Sequence, residues 1–167
     1  MYKRQVVGCE TAYWLSYEHG RKVKVLEMAP YIMDGVCTAN RGHLIHYLEK
    51  AEVELCNCTR VTAIDPGVVK AVRNVSSTVP DPYVTWEPIL PKNIENPLAK
   101  KLGPEEAEVQ FPADLIVLAN GGKPDDSLFT TCQKEQVAPL LYNIGDSFAA
   151  GRVLEATRAA YALATKL

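Results

Sequence analysis

No run of apolar residues in this 167-residue chain approaches the roughly 18 needed to span a bilayer, so the sequence offers no membrane helix. Neither charge sign is in excess. Eighteen Lys and Arg stand against 20 Asp and Glu, a net charge of -2 and a pI near 5.9, which lacks the basic footprint of a nucleic-acid binder. No Cys-x-x-Cys pair occurs, which leaves disulfide oxidoreductase chemistry without its motif. The five cysteines (Cys9, Cys37, Cys56, Cys58 and Cys132) are odd in number, and residues 1–5 form no signal peptide. Both points suggest reduced thiols in a cytoplasmic protein rather than a disulfide framework. Internal repeats and low-complexity tracts are absent. What is present is a globular balance, 47% apolar and 23% charged, at a length suited to one α/β domain or one domain plus part of another.

Val6-Val7-Gly8 reads as the tail of a buried strand meeting a helix that runs over residues 9–18, with Gly20 as its stop. Residues 22–26 (Lys-Val-Lys-Val-Leu) alternate as a strand and end on Glu27. Residues 30–37 form a loop. Thr38 is placed to cap a helix reaching Lys50, with Leu44, Tyr47 and Leu48 as its apolar stripe. Residues 53–55 alternate again. Residues 59–64 and 68–72 read as two strands joined by the turn Asp65-Pro66-Gly67.

Seven of the eleven prolines fall in residues 74–112. Proline removes a backbone donor and fixes φ, so this stretch reads as an irregular insertion with one short helix near residues 97–102. Residues 114–119 (Asp-Leu-Ile-Val-Leu-Ala) are apolar on both faces, the pattern of a strand inside a parallel sheet. Residues 140–144 read as another short strand. Residues 149–167 read as a helix with Val153, Ala156, Ala160, Leu163 and Leu167 on one face. Strands alternating with helices, each strand ending in glycine or an acid, predict a Rossmann-like α/β domain with a central parallel sheet and a truncated first strand.

Two residues carry the first functional signal. Gly8 stands where the third glycine of a G-x-G-x-x-G fingerprint would stand, and Glu27 follows it by 19 residues, near the spacing of about 20 expected of an acid that binds an adenine ribose. A tight turn and a solvated acid account for the same two residues. The first two fingerprint glycines would fall at positions 3 and 5, where this chain has Lys3 and Gln5. Residues 1–5 therefore read as a non-native segment. His43-x-x-His46 and Cys56-x-Cys58 do not match the usual Cys-x2–4-Cys zinc spacing, and no metal is expected. Cys9 follows Gly8 at the expected helix start, where a thiol pKa is lowered.

A family resemblance adds to this reading. The stretch from Val6 to Ala12, Glu27-Met28, Asn40-Arg41, the run from Leu118 to Pro124 and the run from Tyr142 to Asp146 occur in that order. Together they resemble the C-terminal dinucleotide-binding region of the multidomain NADH:flavin oxidoreductases, the old-yellow-enzyme-like family of dienoyl-CoA reductases, enoate reductases and trimethylamine dehydrogenase. The resemblance implies a fragment. Residues 6–134 would be an NAD(P)H-binding domain carrying the proline-rich insertion, and residues 135–167 the return segment of an FAD-binding domain. The FMN-binding barrel, its iron–sulfur cluster and the first FAD fingerprint would lie outside it, as missing partners.

The same resemblance implies residue roles. Gly8, Cys9 and the following turn would cradle the pyrophosphate of NADH. Glu10 would point toward the nicotinamide–flavin junction, or is simply a first-turn acid favoured by the helix dipole. Glu27 would hold the ribose and repel a 2′-phosphate, favouring NADH over NADPH, with Arg21 and Lys22 able to offset that repulsion. Ala119, Asn120 and Gly121 resemble the A-T-G stretch of the class. Gly145 and Asp146 resemble the G-D motif that binds the FAD ribityl chain, a role compatible with capping the next helix. The implied activity is hydride transfer from NADH to FAD, for reduction of an unsaturated substrate elsewhere in the enzyme. The alternatives are another two-dinucleotide flavoprotein reductase or a non-catalytic module that holds ADP or FAD.

Overall fold

The computed structural model describes residues 2–86, 94, 101–151 and 153–167. The chain divides into two units, Met1–Ala119 and Asn120–Leu167. Among the described residues no helix is long and apolar enough to cross a membrane.

In the first unit, helix α1 spans Tyr2–Tyr17. Cys9 and Ala12 are buried, with Val6 and Tyr13 packed beside them, a stripe at helical spacing. The helix closes where the Gly20 N–H reaches the Ser16 carbonyl at 3.0 Å and the Arg21 N–H reaches Leu15 at 3.1 Å. Strand β1 (Lys24–Leu26) follows, then helix α2 (Thr38–Lys50), which buries Arg41, Ile45 and Leu48 at positions i, i+4 and i+7. Strand β2 (Glu54–Cys56) lies parallel to β1, with Val25 opposite Leu55. The core is Cys9, Ala12, Ile32, Met33, Ile45, Leu48, Val53 and Leu55. Each large aliphatic residue in it contributes roughly 1.5–3 kcal/mol by leaving water.

Strands β3 (Thr59–Asp65), β4 (Val68–Asn74) and β5 (Glu106–Pro112) form a separate antiparallel sheet in that order. The β3–β4 turn is where the sequence placed it: Asp65 pairs with Val68 across Pro66-Gly67. Gly67 takes φ +78, the left-handed value that the second central residue of a type II turn requires. A register shift between Val61 and Ala63 marks a bulge in β3.

The fold is thus mixed α/β with one parallel and one antiparallel sheet, and it departs from the expected strands at four places. Val6 and Val7 lie inside α1 rather than in a first strand. Lys3, Arg4 and Gln5 are good helix formers, and no ladder partner draws this segment into a sheet. Residues 114–118 are neither helix nor strand. Leu115, Ile116, Val117 and Leu118 are 70%, 36%, 52% and 69% exposed, because an apolar composition makes a strand only where neighbours accept its backbone bonds. Residues 140–144 are likewise outside any strand. Conversely β5 lies inside the stretch read as irregular. Its alternating exposed and half-buried positions carry Ala107, Val109 and Phe111 on one face. The prolines flank that strand without interrupting it, Pro112 standing at its end. Of the short helix expected near residues 97–102, residues 97–100 lie outside the described residues, and 101–102 are in no helix.

The second unit comprises helix α3 (Ser127–Lys134), a 3-10 turn (Gly145–Ser147) and helix α4 (Val153–Ala164). None of the three has a buried residue. On α4 the expected stripe is open to solvent, with Val153 80% exposed and Ala156 and Leu163 half-buried.

The outer edge of β2 is sealed by one side chain. The Tyr83 hydroxyl donates to the Val53 carbonyl at 2.9 Å and accepts the Leu55 N–H at 3.2 Å. Tyr83→Phe leaves both backbone groups without this partner, at a cost of about 1–3 kcal/mol. Urea unfolding of the variant is expected to show a lower midpoint with an unchanged slope.

Candidate functional site

The carboxyl ends of β1 and β2 are where an α/β fold receives ligands, and the chain is held there by a dense set of bonds. The Glu27 N–H donates to the Cys56 carbonyl at 2.9 Å, and the Glu27 carbonyl accepts the Thr59 N–H at 2.8 Å. One carboxylate oxygen of Glu27 accepts the Ala29 N–H at 2.8 Å. Asn57, fully buried, donates through Nδ2 to the carbonyls of Pro30 (2.7 Å) and Pro80 (2.9 Å). It thereby ties the loop after β1 to the strap that carries Tyr83. Arg41, 1% exposed, donates through Nε to the Ile32 carbonyl at 2.8 Å.

Gly8 lies against Ala119. A Cβ built on Gly8 would come within 2.9 Å of the Ala119 Cβ, well inside the 3.5–4.0 Å of ordinary carbon contact. The absent side chain therefore permits a close approach between the interior of α1 and Ala119, and not at the strand-to-helix turn expected from the sequence. Cys9 beside it is buried. Desolvation pushes its thiol up to about 12, aided by the negative charges of Glu27 and Glu10. The first unit therefore brings Gly8, Cys9, Glu10, Glu27 and Ala119 into one neighbourhood. It also corrects the expectation of a lowered Cys9 pKa, because Cys9 sits in the middle of α1 and not at its N-terminus.

The fit to a dinucleotide is partial. A pyrophosphate cradle needs free N–H groups at a helix start. Gly8, Cys9 and Glu10 begin six residues into α1, where each N–H is committed to the carbonyl four residues earlier. The cradle implied for Gly8 and Cys9 is therefore not formed. Glu27 does occupy the strand-end position that the ribose role demands.

In the second unit Asn120 and Gly121 are exposed. Gly145 opens the 3-10 turn, and its carbonyl accepts the N–H groups of Phe148 (3.1 Å) and Ala149 (2.9 Å). Asp146 Oδ1 accepts the Gly151 N–H at 3.0 Å, a bond that closes the loop before α4 rather than capping the helix itself. Among the described residues no group of three or more His, Cys, Asp or Glu is placed to hold a metal ion. His43 and His46 instead lie edge-on to the Tyr47 ring at 4.6 and 5.9 Å. Cys56 is pushed up to about 11, chiefly by burial.

Sequence reasoning missed Asn57, Tyr83 and the role of Arg41. The signal for Asn57 was a lone amide between two cysteines that close an apolar strand. Tyr83 and Arg41 gave no comparable signal, since their bonds join residues 28–30 and 9 positions apart.

Two outcomes test this geometry. Gly8→Ala, although alanine favours a helix by about 1 kcal/mol, is expected to lower the melting temperature. Adding Ala119→Gly should restore it, with a coupling on the order of 1 kcal/mol in the double-mutant cycle. The thiols set a pH window. A thiol raised from 9.0 to about 12 in the fold stabilises the folded state fully below pH 9. That contribution is lost as pH rises from 9 toward 12, because the unfolded chain ionises first. Unfolding free energy measured across that range should fall less steeply in Cys9→Ala, and alkylation at pH 8 should label the exposed Cys37 before Cys9.

No family model matches this sequence, and no curated protein matches it. Two solved structures share its fold. One is the 6-hydroxypseudooxynicotine amine oxidase HisD of Pseudomonas geniculata N1, with a TM-score of 0.67 and 19% identity over 94% of this chain. The other is 2-naphthoyl-CoA reductase in complex with 2-naphthoyl-CoA, with a TM-score of 0.68 and 20% identity over 96% of this chain. The chain spans 20% of the length of each. At such identities the likeness is one of fold.

Proposed function

We propose that this chain is the NADH-binding part of a multidomain flavin-dependent oxidoreductase. The observation that carries the reading is the shared fold. An amine oxidase and a CoA-thioester reductase act on unlike substrates, yet each devotes a fifth of its length to this architecture. What two redox enzymes of different specificity hold in common is a region that handles the electron carrier rather than the substrate. The Gly8–Ala119 crossing and the position of Glu27 at the end of β1 support a Rossmann-like dinucleotide domain over residues 6–134. The glycine–acid pair Gly145-Asp146 supports an FAD-type return segment over residues 135–167. NADH would supply a hydride and FAD would accept it. FMN, an iron–sulfur cluster and the site for an unsaturated substrate belong to other parts of such an enzyme.

The alternative reading is a non-catalytic module that holds ADP or FAD. Calorimetric titration with NADH, NADPH and ADP separates the two. The first reading expects NADH to bind more tightly than NADPH, with Glu27→Gln losing roughly 1.5–3 kcal/mol toward NADH and narrowing the gap between the cofactors. Glutamine keeps a neutral acceptor for the Ala29 N–H, so the variant tests charge and not folding. Binding of ADP equal to that of NADH supports the module. Equal weakening of both reduced cofactors removes Glu27 from the ribose role.

A further inference from the structure

Asparagine followed by glycine occurs once in this sequence, at Asn120-Gly121. Asparagine is thermolabile because its side-chain carbonyl lies within reach of the next residue's backbone nitrogen. A fold blocks that attack by holding the next N–H in a hydrogen bond, by fixing the carboxamide, or by placing a bulky side chain after it. The other asparagines that the structure describes are each blocked in at least one of these ways. After Asn40 the Arg41 N–H donates to the Cys37 carbonyl at 2.9 Å, after Asn57 the Cys58 N–H donates to Ala29 at 3.1 Å, and after Asn74 the Val75 N–H donates to Glu105 at 2.9 Å. Asn57 and Asn74 also donate through Nδ2 to backbone carbonyls. Asn143 accepts the Ser147 hydroxyl at 2.6 Å and is followed by the β-branched Ile144.

Asn120 is blocked in none of them. It and Gly121 are exposed, and residues 115–126 belong to no helix or strand. Among the described residues no hydrogen bond reaches the Asn120 carboxamide or the Gly121 N–H. Gly121 stands at φ +66 and has no Cβ to crowd the approach of its nitrogen.

We propose that Asn120-Gly121 is a site of spontaneous covalent modification, at which the asparagine cyclises and opens to aspartate and isoaspartate. The Gly121 nitrogen bonds to Asn120 Cγ, the Cγ–Nδ2 bond breaks, and ammonia leaves with the proton that the nitrogen gives up. One water then opens the succinimide ring at either carbonyl. Each product carries one more negative charge, which takes the chain from -2 to -3. Isoaspartate also routes the main chain through the side-chain carbon. Its free α-carboxylate is the group that an isoaspartyl carboxyl methyltransferase methylates from a sulfonium donor, which names the class of enzyme that would act on the aged chain. The inference does not depend on the dinucleotide reading, because conversion proceeds and is read without any cofactor.

The test keeps the whole chain warm at pH 8 and follows it by peptide mass and by methyl transfer from an isoaspartyl carboxyl methyltransferase. Conversion at Asn120 is expected to run roughly tenfold or more ahead of every other asparagine, because only here is the next residue a glycine. The rate should rise with pH, since the attacking nitrogen must lose its proton. Gly121→Ala should slow conversion, and Asn120→Gln, which would have to close a larger ring, should remove the methyl label. Circular dichroism should be the same for both variants, as expected of exposed positions outside any helix or strand. Three results overturn the proposal: Asn120 keeping its amide while an unfolded peptide of the same local sequence converts, another asparagine converting first, or a methyl label that survives Asn120→Gln.

Discussion

A parallel ladder two strands wide turns as many backbone groups to its edges as it pairs in its interior, and the first unit is arranged around that constraint. The β1–β2 pair buries Leu55 and half-buries Val25 between helices α1 and α2. Its outer N–H and carbonyl groups are too far from other strands to be paired by them. On the β2 side the chain meets this with a side chain. Tyr83 arrives on the strap after β4 and places one hydroxyl between a donor and an acceptor. Asn57 holds the strap in place from below by taking the Pro80 carbonyl on the same amide that takes Pro30. The edge, the strap and the loop after β1 are therefore one connected hydrogen-bond system, and Glu27 sits where that system meets the carboxyl ends of the strands.

The electrostatics of the same corner follow from burial. Cys9 and Cys56 are shut away from water, and both thiols are held in the neutral form, first by desolvation and then by neighbouring carboxylates. Glu54 is drawn the other way by its bond to Lys24. The cysteines here are packing residues.

Helix α1 shows how a local preference prevails when a tertiary one is not expressed. Val6 and Val7 carry a β-branched signature, yet they stand in a helix that begins at Tyr2. Helical bonds can be made at once with neighbours four residues away, whereas a strand at this position needs partners from a sheet. The consequence is chemical as well as structural, because the N–H groups of Gly8, Cys9 and Glu10 are used inside the helix and no anion cradle forms there.

Helix α2 and the β3–β4 hairpin were legible in the sequence, from a helical run ending at Lys50 and from the Asp-Pro-Gly turn. The stripe read on α2 as Leu44, Tyr47 and Leu48 was shifted: the helix buries Arg41, Ile45 and Leu48 and leaves Tyr47 exposed, because which face turns inward is set by what packs against it. Strand β5 was hidden by the prolines around it, although its alternation of Ala107, Val109 and Phe111 was present to be read. The sequence by itself determined which segments are apolar and at what period. Only the tertiary structure decided which of them become strands, since Lys24 and Glu54 must meet across 30 residues, and residues 114–118 remain outside any ladder for want of a neighbour. Tyr83, Asn57 and Arg41 belong to the same class: their partners are backbone carbonyls and amides brought near by the fold, and no spacing in the chain announces them.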